Sequence, residues 1–419
     1  MELFKSTNYD FLGKKWPFII ASVILSVAGI GSIIVRGGLN YGIDFKGGAQ
    51  VTVRFASTPQ LDKIRTVMQK SPLIHGGVSV QNFTGGTQPN TVLIETEIQE
   101  EKQLNINRQA MEDVLRNTFG QPDNSKLDLN NTPAGPLAVR MRDALARAAV
   151  PMDDTKLQQL VQDILAYRDK EASGLVTNFR QLSSVAGMNS GIMNALQQEC
   201  YLSSYHVGDV EMVGPKVGAQ LRSQAVLATL YALAGMLAYI AFRFEWIYGL
   251  GAVIACFHDT IITIGLFSIF NQEISMTVIA ALLTLVGYSM NDTIVIFDRI
   301  RENLKLSRRE PLENVMNKAV NQTLSRTVMT SGLTFLTVIA LFAFGGPVLH
   351  GFSFALVCGI IVGTYSSVFV ASPIVLFWHN YMDKPKRASG AGGAPAGRKD
   401  LPRTGGARPV KGESSKVVK

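Results

Sequence analysis

The stretch AALLTLVGYSMNDTIVIFDRIREN, residues 280–303, is long enough to cross a bilayer yet carries Asn291 and Asp292 well inside it. A spanning helix takes about 20 mainly apolar residues, and a carboxylate at membrane depth is costly, so its presence asks for a reason. Turned at about 100° per residue, Ala280, Ala281, Thr284, Gly287, Tyr288, Asn291, Asp292, Asp298, Arg299 and Glu302 fall within an arc of about 140°. Val295 is the one aliphatic residue among them, while Leu282, Leu283, Val286, Met290, Ile294, Ile296, Phe297 and Ile300 take the remaining surface. The spacing predicts one face that meets lipid or apolar neighbours. The other face is small enough for close helix approach and polar enough to hold an ion or proton. Asp292 is the principal candidate for that task, with Thr284, Tyr288 and Asn291 in support.

Around this helix, apolar residues gather in blocks along a chain of 419 residues, the pattern of an integral membrane protein with a water-soluble insert. The net charge of +8 comes largely from the C-terminal region and from short loops beside apolar blocks, where topology accounts for it, so no nucleic acid partner is expected. Cys256 and Cys358 lie in apolar blocks and Cys200 stands alone in the insert, which leaves no disulfide framework and no metal-ligand spacing. Without a phosphate loop, nucleophile triad or metal cluster, no cofactor and no enzymatic activity are expected.

In chain order, residues 1–36 hold a short basic N-terminus and a first uncleaved membrane helix. Residues 37–222 read as a small α+β domain of the split βαβ kind, with strands near 78–83 and 91–97, a helix near 61–69 and a last strand before Gly214 and Pro215. A helical insertion fills about 100–198, and Gly47 and Gly48 read as a turn or bulge before a strand. Residues 223–380 supply five further apolar runs, making six spans, and 381–419 form a basic Gly/Pro/Ala-rich tail expected to be disordered. The tail is open to two readings, contact with anionic lipid or a ribosome and a solubilised tail with no specific partner. Lys and Arg alternate between loops so as to put the large insert outside and both termini in the cytoplasm.

LNYGIDFKGG, EMVGPKVGAQL, AVIACFHDTIITIGLF, VGYSMNDTIVIFDRIREN and NQTLSRTVMTSGLTFLTV together resemble the SecF family, in the membrane region and the edges of the outer domain. The resemblance implies half of a transporter of the resistance-nodulation-division type, in a bacterial inner membrane, that uses a proton gradient to assist late translocation of secreted proteins. It also implies a SecD-like partner, the SecYEG channel, the translocating preprotein, membrane lipid and YajC as an optional further partner. Gly42, Asp44, Gly47, Gly48, Gly214 and Pro215 are its motif residues here, and it gives Arg326, in LSRT, a functional role. Shortness favours a partner-dependent subunit. The alternative is an exporter of lipids or small molecules of the same wider fold, and a plainer one is a scaffold without an ion pathway.

An ion-driven machine needs a carboxylate that changes charge within the membrane. Asp292 and Asp259 qualify, Asp259 lying mid-helix among Ala252, Ala255, Cys256 and Thr263. Each is also open to reading as a buried hydrogen-bond acceptor. His258 points about 100° from Asp259 and reads as a packing or supporting residue. Arg326 is either a cytoplasmic flank or, through a polar track of Gln322, Thr323, Thr330, Thr334 and Thr337, a partner for deprotonated Asp292. Asp298 and Arg299 read as the solvated inner end of the helix. The choice between H⁺ and Na⁺ is open.

Overall fold

A computed structural model describes residues 7–390 apart from 75, 84–89, 99, 121–124, 149, 151, 244–245 and 308. Helix α1 (Lys15–Val35) carries no charged side chain after its first residue, and a single turn, α2 (Ile43–Lys46), follows it. The chain then forms β1 (Gly48–Phe55), α3 (Leu61–Lys70), β2 (Val78–Phe83), β3 (Thr91–Glu97) and α4 (Gln103–Phe119). Next come β4 (Leu127–Asp128), α5 (Ala134–Arg147), α6 (Asp154–Ala166), α7 (Ser190–Glu199), β5 (Cys200–Tyr201) and β6 (Tyr205–Val213).

The four longer strands make an antiparallel sheet in the order β2-β3-β1-β6, the split βαβ arrangement expected, with β4, α5, α6, α7 and β5 inserted between α4 and β6. Side chains alternate across this sheet. Val51, Val53, Val80, Val92 and Ile94 bury against Ile64 and Met68 of α3 and Met111 and Leu115 of α4. The opposite face carries the polar row Ser79, Glu95, Gln50 and Glu211, one residue per strand in register. The insertion has a core of its own, in which Leu137, Met141, Leu160, Ile164, Ile192 and Leu196 meet. Asn131 ties it to the sheet edge, accepting from the Val207 N–H at 2.7 Å and donating to the Tyr205 carbonyl at 3.1 Å.

The remaining helices are α8 (Pro215–Arg243), α9 (Trp246–Ile269), α10 (Met276–Leu306), α11 (Leu312–Phe344), α12 (Gly346–Ser366) and α13 (Ser372–Gly390), the last two joined by a π-helical turn, Ser367–Ala371. Among the described residues six helices are long and apolar enough to cross a membrane. Helix α8 starts at Pro215, well before the apolar run that announces it, because proline suits the first helical position. The described residues up to Leu376 form one unit and those from Phe377 another. The expectation of an unstructured tail from 381 is corrected as far as Gly390, where α13 continues the last span as helix, and from 391 onward it lies outside the described residues.

Within the bundle α10 packs against α9, α11 and α12, and α1 lies on α9. Gly29 and Gly265 set the second contact, since a Cβ built on either would lie 2.7 Å from the Cα of the other. The apolar face of α10 does not look toward lipid: Leu285, Val286, Met290, Ile296, Phe297 and Ile300 are buried within the chain, while Thr284, Gly287 and Asn291 are exposed. Burial of the larger aliphatic surface against α9 and α12 fills space that the small face cannot.

Candidate functional site

Among the described residues the bundle encloses two carboxyl groups, Asp259 and Asp292. Asp259, on α9, is 1 % exposed and fully engaged. Its Oδ2 accepts from Ser289 Oγ of α10 and from Ser366 Oγ of α12 at 2.8 Å, and its Oδ1 faces His258 Nδ1 at 2.8 Å. The supporting role read for His258 becomes a direct contact, because the ring folds back over the short side chain beside it despite the helical step of about 100°. His258 Nε2 has no hydrogen-bond partner among the described residues. Beside this cluster Thr293 Oγ1 meets Ser367 Oγ at 2.8 Å, so hydroxyls from α10 and from the π-helical turn after α12 line the space next to Asp259.

Asp292, on α10 and 5 % exposed, is held more sparsely. Ser331 Oγ of α11 donates to its Oδ2 at 2.9 Å. Tyr288, one turn earlier, has a buried hydroxyl without a hydrogen-bond partner among the described residues. Thr284 Oγ1 bonds back to the Ala280 carbonyl at 2.8 Å, and Asn291 turns outward, so neither acts on Asp292 directly.

Arg326 departs from the expected pairing. Among the described residues no ion pair within 4 Å joins it to Asp292, and Ser331, which does reach Asp292, lies five residues along α11, about 7.5 Å up the axis. Arg326 instead lines an open cavity of about 390 Å³ with Tyr239, Arg243, Asp298, Arg299, Glu302, Gln322 and Thr323. The polar track is interrupted as well: Thr330, Thr334 and Thr337 donate to carbonyls of their own helix, and Gln322 accepts from Arg299 and Asn303. A threonine in a helix finds its own i−4 carbonyl before it finds a neighbour. At the same end Arg299 pairs with Glu302 and Asp298 is exposed.

The glycine motifs gather elsewhere, at the joint between the sheet domain and the helices. Gly47 has φ +80°, and a Cβ there would lie 2.7 Å from Pro215 Cα, so the turn and the start of α8 can touch only through glycine. Gly48 packs on the Thr96 carbonyl, Gly214 on Glu101, and Gly42 on the Glu273 carboxyl. Asp44 Oδ2 accepts from the Met276 N–H at 2.8 Å and caps the first turn of α10. Met276 is sixteen residues before Asp292, about 24 Å along the helix, so the motif residues fasten the end of α10 and do not touch its carboxylate.

Ser289, Thr293, Ser331, Ser366 and Ser367 are the residues that sequence reasoning passed over, although hydroxyls within apolar runs are the signal that marks them. Among the described residues no group of three or more His, Cys, Asp or Glu is placed to hold a metal ion.

The model of the family "Protein export membrane protein SecD/SecF, C-terminal" matches residues 193–381, and that of the "SecD/SecF GG Motif" matches 31–59. The chain is 48 % identical to the protein translocase subunit SecF of Koribacter versatilis, over 96 % of this chain and 98 % of that one. It is 36 % identical to the SecF subunit of Calditerrivibrio nitroreducens, over 90 % of this chain and 96 % of that one. It is also similar in structure to SecDF of Thermus thermophilus, a translocon-associated membrane protein, with TM-score 0.59 and 29 % identity over 90 % of this chain. The chain spans only 39 % of that longer protein.

Proposed function

The chain belongs to the SecF family of protein translocase subunits, and from that premise we propose that it draws on an ion gradient, of protons or sodium, to assist translocation of secreted proteins, with Asp292 as the group that changes charge. The observation that carries this reading is the contrast between two buried carboxyl groups on packed helices. Asp259 is met by three side chains and Asp292 by one hydroxyl, so Asp292 has room for a proton or ion and Asp259 a structural duty. One elementary charge moved across the membrane is worth about 2.3 kcal/mol per 100 mV, so one or two protons suffice to bias a bundle between two arrangements.

A SecD-like subunit is the proposed partner. The exposed small and polar face of α10, with Thr284, Gly287 and Asn291, continues into Thr330 and Thr334 of α11, and in a bilayer such a face is better covered by another helix than by lipid. SecYEG and the translocating chain are proposed as the neighbours on which the pair acts. The sheet domain and its insertion lie outside the cytoplasm in this scheme, with both termini inside, following the distribution of Lys and Arg. A role for Arg326 as the partner of deprotonated Asp292 belongs to this proposal, in an arrangement of α10 and α11 that brings the two within ion-pair reach.

The test is export of a slow-folding secreted protein into vesicles, with and without an imposed gradient. The Asp292→Asn variant is expected to retain its SecD-like partner on co-purification and to lose the gradient-dependent part of export. An unchanged response to the gradient overturns the assignment.

A further inference from the structure

Between the ends of α1 and α9 and strand β2 lies an open cavity of about 560 Å³. Its charged lining is Arg36, Lys46 and Arg65, and among the described residues no carboxylate joins them. The three cations come from separate elements, Arg36 from the end of α1, Lys46 from α2 and Arg65 from α3. Asn40, Gln81 and Asn271 add amide groups that can donate hydrogen bonds.

We propose that this cavity binds the phosphate of an anionic phospholipid, with Arg36, Lys46 and Arg65 on the headgroup and the acyl chains along α1. The site takes its lipid from whichever leaflet lies on the side of the sheet domain, and it does not rest on the assignment of Asp292.

Each cation is positioned but not used up by the chain. Arg36 donates to Asn271 Oδ1 at 2.9 Å and to the Ile269 carbonyl at 3.4 Å, across the end of α9. Arg65 donates to Asp62 at 2.8 Å and to the Val80 carbonyl of β2 at 3.3 Å. A guanidinium has five N–H donors, so both arginines keep donors for a further acceptor. Lys46 pairs with Glu97 at 2.9 Å. The Asp62 side chain is 97 % exposed and that of Glu97 54 %, and ion pairs so open to water hold weakly against a competing anion. Lys46 also lines a separate cavity of about 190 Å³ that holds Glu95 and Glu97. Burial pushes Glu95 up to about 10, so at neutral pH it brings no charge to oppose an anion next door.

The apolar surface beside the cavity decides which anion it is. Ile20, Val23, Val27, Ile30 and Ile34 are 45–73 % exposed and follow one another at three or four residues, so they form a single stripe of α1 that leads up to Arg36. A free anion or an acidic peptide matches the cavity alone. An anionic lipid matches cavity and stripe together, its phosphate oxygens meeting the planar forks of two arginines. The carbonyl ends of α1 and α9 account for a cation at Arg36. They do not account for Lys46 and Arg65, which come from α2 and α3. A lipid seated here touches the membrane helices through Arg36 and the sheet domain through Arg65.

The experiment places a thiol in the cavity by Ser79→Cys, a half-buried lining position, in the full chain held in nanodiscs of phosphatidylcholine with increasing phosphatidylglycerol. The rate of alkylation at position 79 by N-ethylmaleimide is read by mass spectrometry of its peptide, apart from Cys200, Cys256 and Cys358. Phosphatidylglycerol is expected to slow this alkylation, and phosphatidylcholine alone is not. Adding Lys46→Gln and Arg65→Gln, both at partly exposed side chains, is expected to raise the phosphatidylglycerol content needed for half of that slowing about 25-fold, about five-fold for each cation. Adding Lys63→Gln and Lys70→Gln instead, which removes as much charge from α3 outside the cavity, is expected to leave it unchanged. No slowing by phosphatidylglycerol with all the cations in place overturns the site. Equal loss in the two double variants means diffuse attraction to the membrane and overturns it as well. Equal slowing by inorganic phosphate or by polyglutamate in phosphatidylcholine discs overturns lipid as the occupant.

Discussion

Replacing Asp259 separates a carboxylate that holds the bundle together from one that works within it. In Asp259→Asn the amide oxygen takes the place of Oδ2 and still accepts from Ser289 and Ser366. The amide nitrogen then faces His258 Nδ1, which must accept and so moves its proton to Nε2, an atom that has no partner among the described residues. One buried donor left unpaired costs about 1–3 kcal/mol. In Asp259→Ala Ser289 and His258 lose their acceptor, while Ser366 keeps the Gly363 carbonyl at 3.2 Å, so the cost approaches two such penalties, about 2–6 kcal/mol, against a total stability of about 5–15 kcal/mol for a typical domain. The expected outcome is a folded, modestly destabilised Asn variant with gradient-dependent export retained, and an Ala variant that fails to accumulate. The assay is thermal unfolding of the purified chain in detergent, beside the vesicle export measurement. If Asn destabilises as much as Ala, the negative charge holds the cluster and the counting of hydrogen bonds is wrong. If Asn is stable but export no longer responds to the gradient, Asp259 shares the coupling role given to Asp292.

Gly47→Ala is expected to weaken the joint between sheet and α8 by more than the cost of positive φ alone, about 1–2 kcal/mol, since its Cβ meets Pro215, whereas Gly37→Ala at φ +75° meets nothing and pays only the strain; limited proteolysis of both variants checks the difference. Stability should also fall as pH rises. The folded pKa of Glu95 is raised, so its contribution is full below the unfolded value of about 4.3 and is lost as pH climbs through the folded value, with a slope of at most about 1.4 kcal/mol per pH unit. Chemical unfolding across this window should show the slope in wild type and a flatter one in Glu95→Gln, and identical slopes would remove the raised pKa from the account. Cysteines placed at Gln159 and Glu310, both exposed, should be labelled by an impermeant thiol reagent from opposite sides of the membrane, Gln159 from outside, and the reverse pattern refutes the topology.

What the sequence made legible was whatever repeats along one element. The period of α10 placed Asp292 on a small polar face, and the alternation of β1 and β3 gave a sheet with one apolar side. Which residue of α11 would reach Asp292 was not legible, because Ser331 and Arg326 lie on the same helix and only packing decides between them. The hydroxyls around Asp259 were hidden for the same reason: Ser289 and Ser366 come from two other helices, and a serine in an apolar run has no period to betray it. Gly47 and Gly48 showed themselves as a break in the chain, but the reason for glycine, contact with Pro215 on a helix far along the sequence, is a fact of tertiary structure. Glu95 escaped notice in an alternating strand, where an outward-facing glutamate ordinarily meets water.

The π-helical turn Ser367–Ala371 has a consequence for how related chains align. Such a turn is an α-helix with one residue wound in, and its loose carbonyl at Ser367 is taken by Ser372 Oγ at 3.0 Å. Removing a single residue between Ser367 and Ala371 heals the turn to ordinary helix and leaves the segments on either side facing as before. A SecF sequence one residue shorter in its sixth span therefore takes its gap here, and that deletion should be among the mildest in the bundle. The same deletion in the middle of α10 turns every later residue by about 100° and carries Asp292 or its neighbours off the face they occupy.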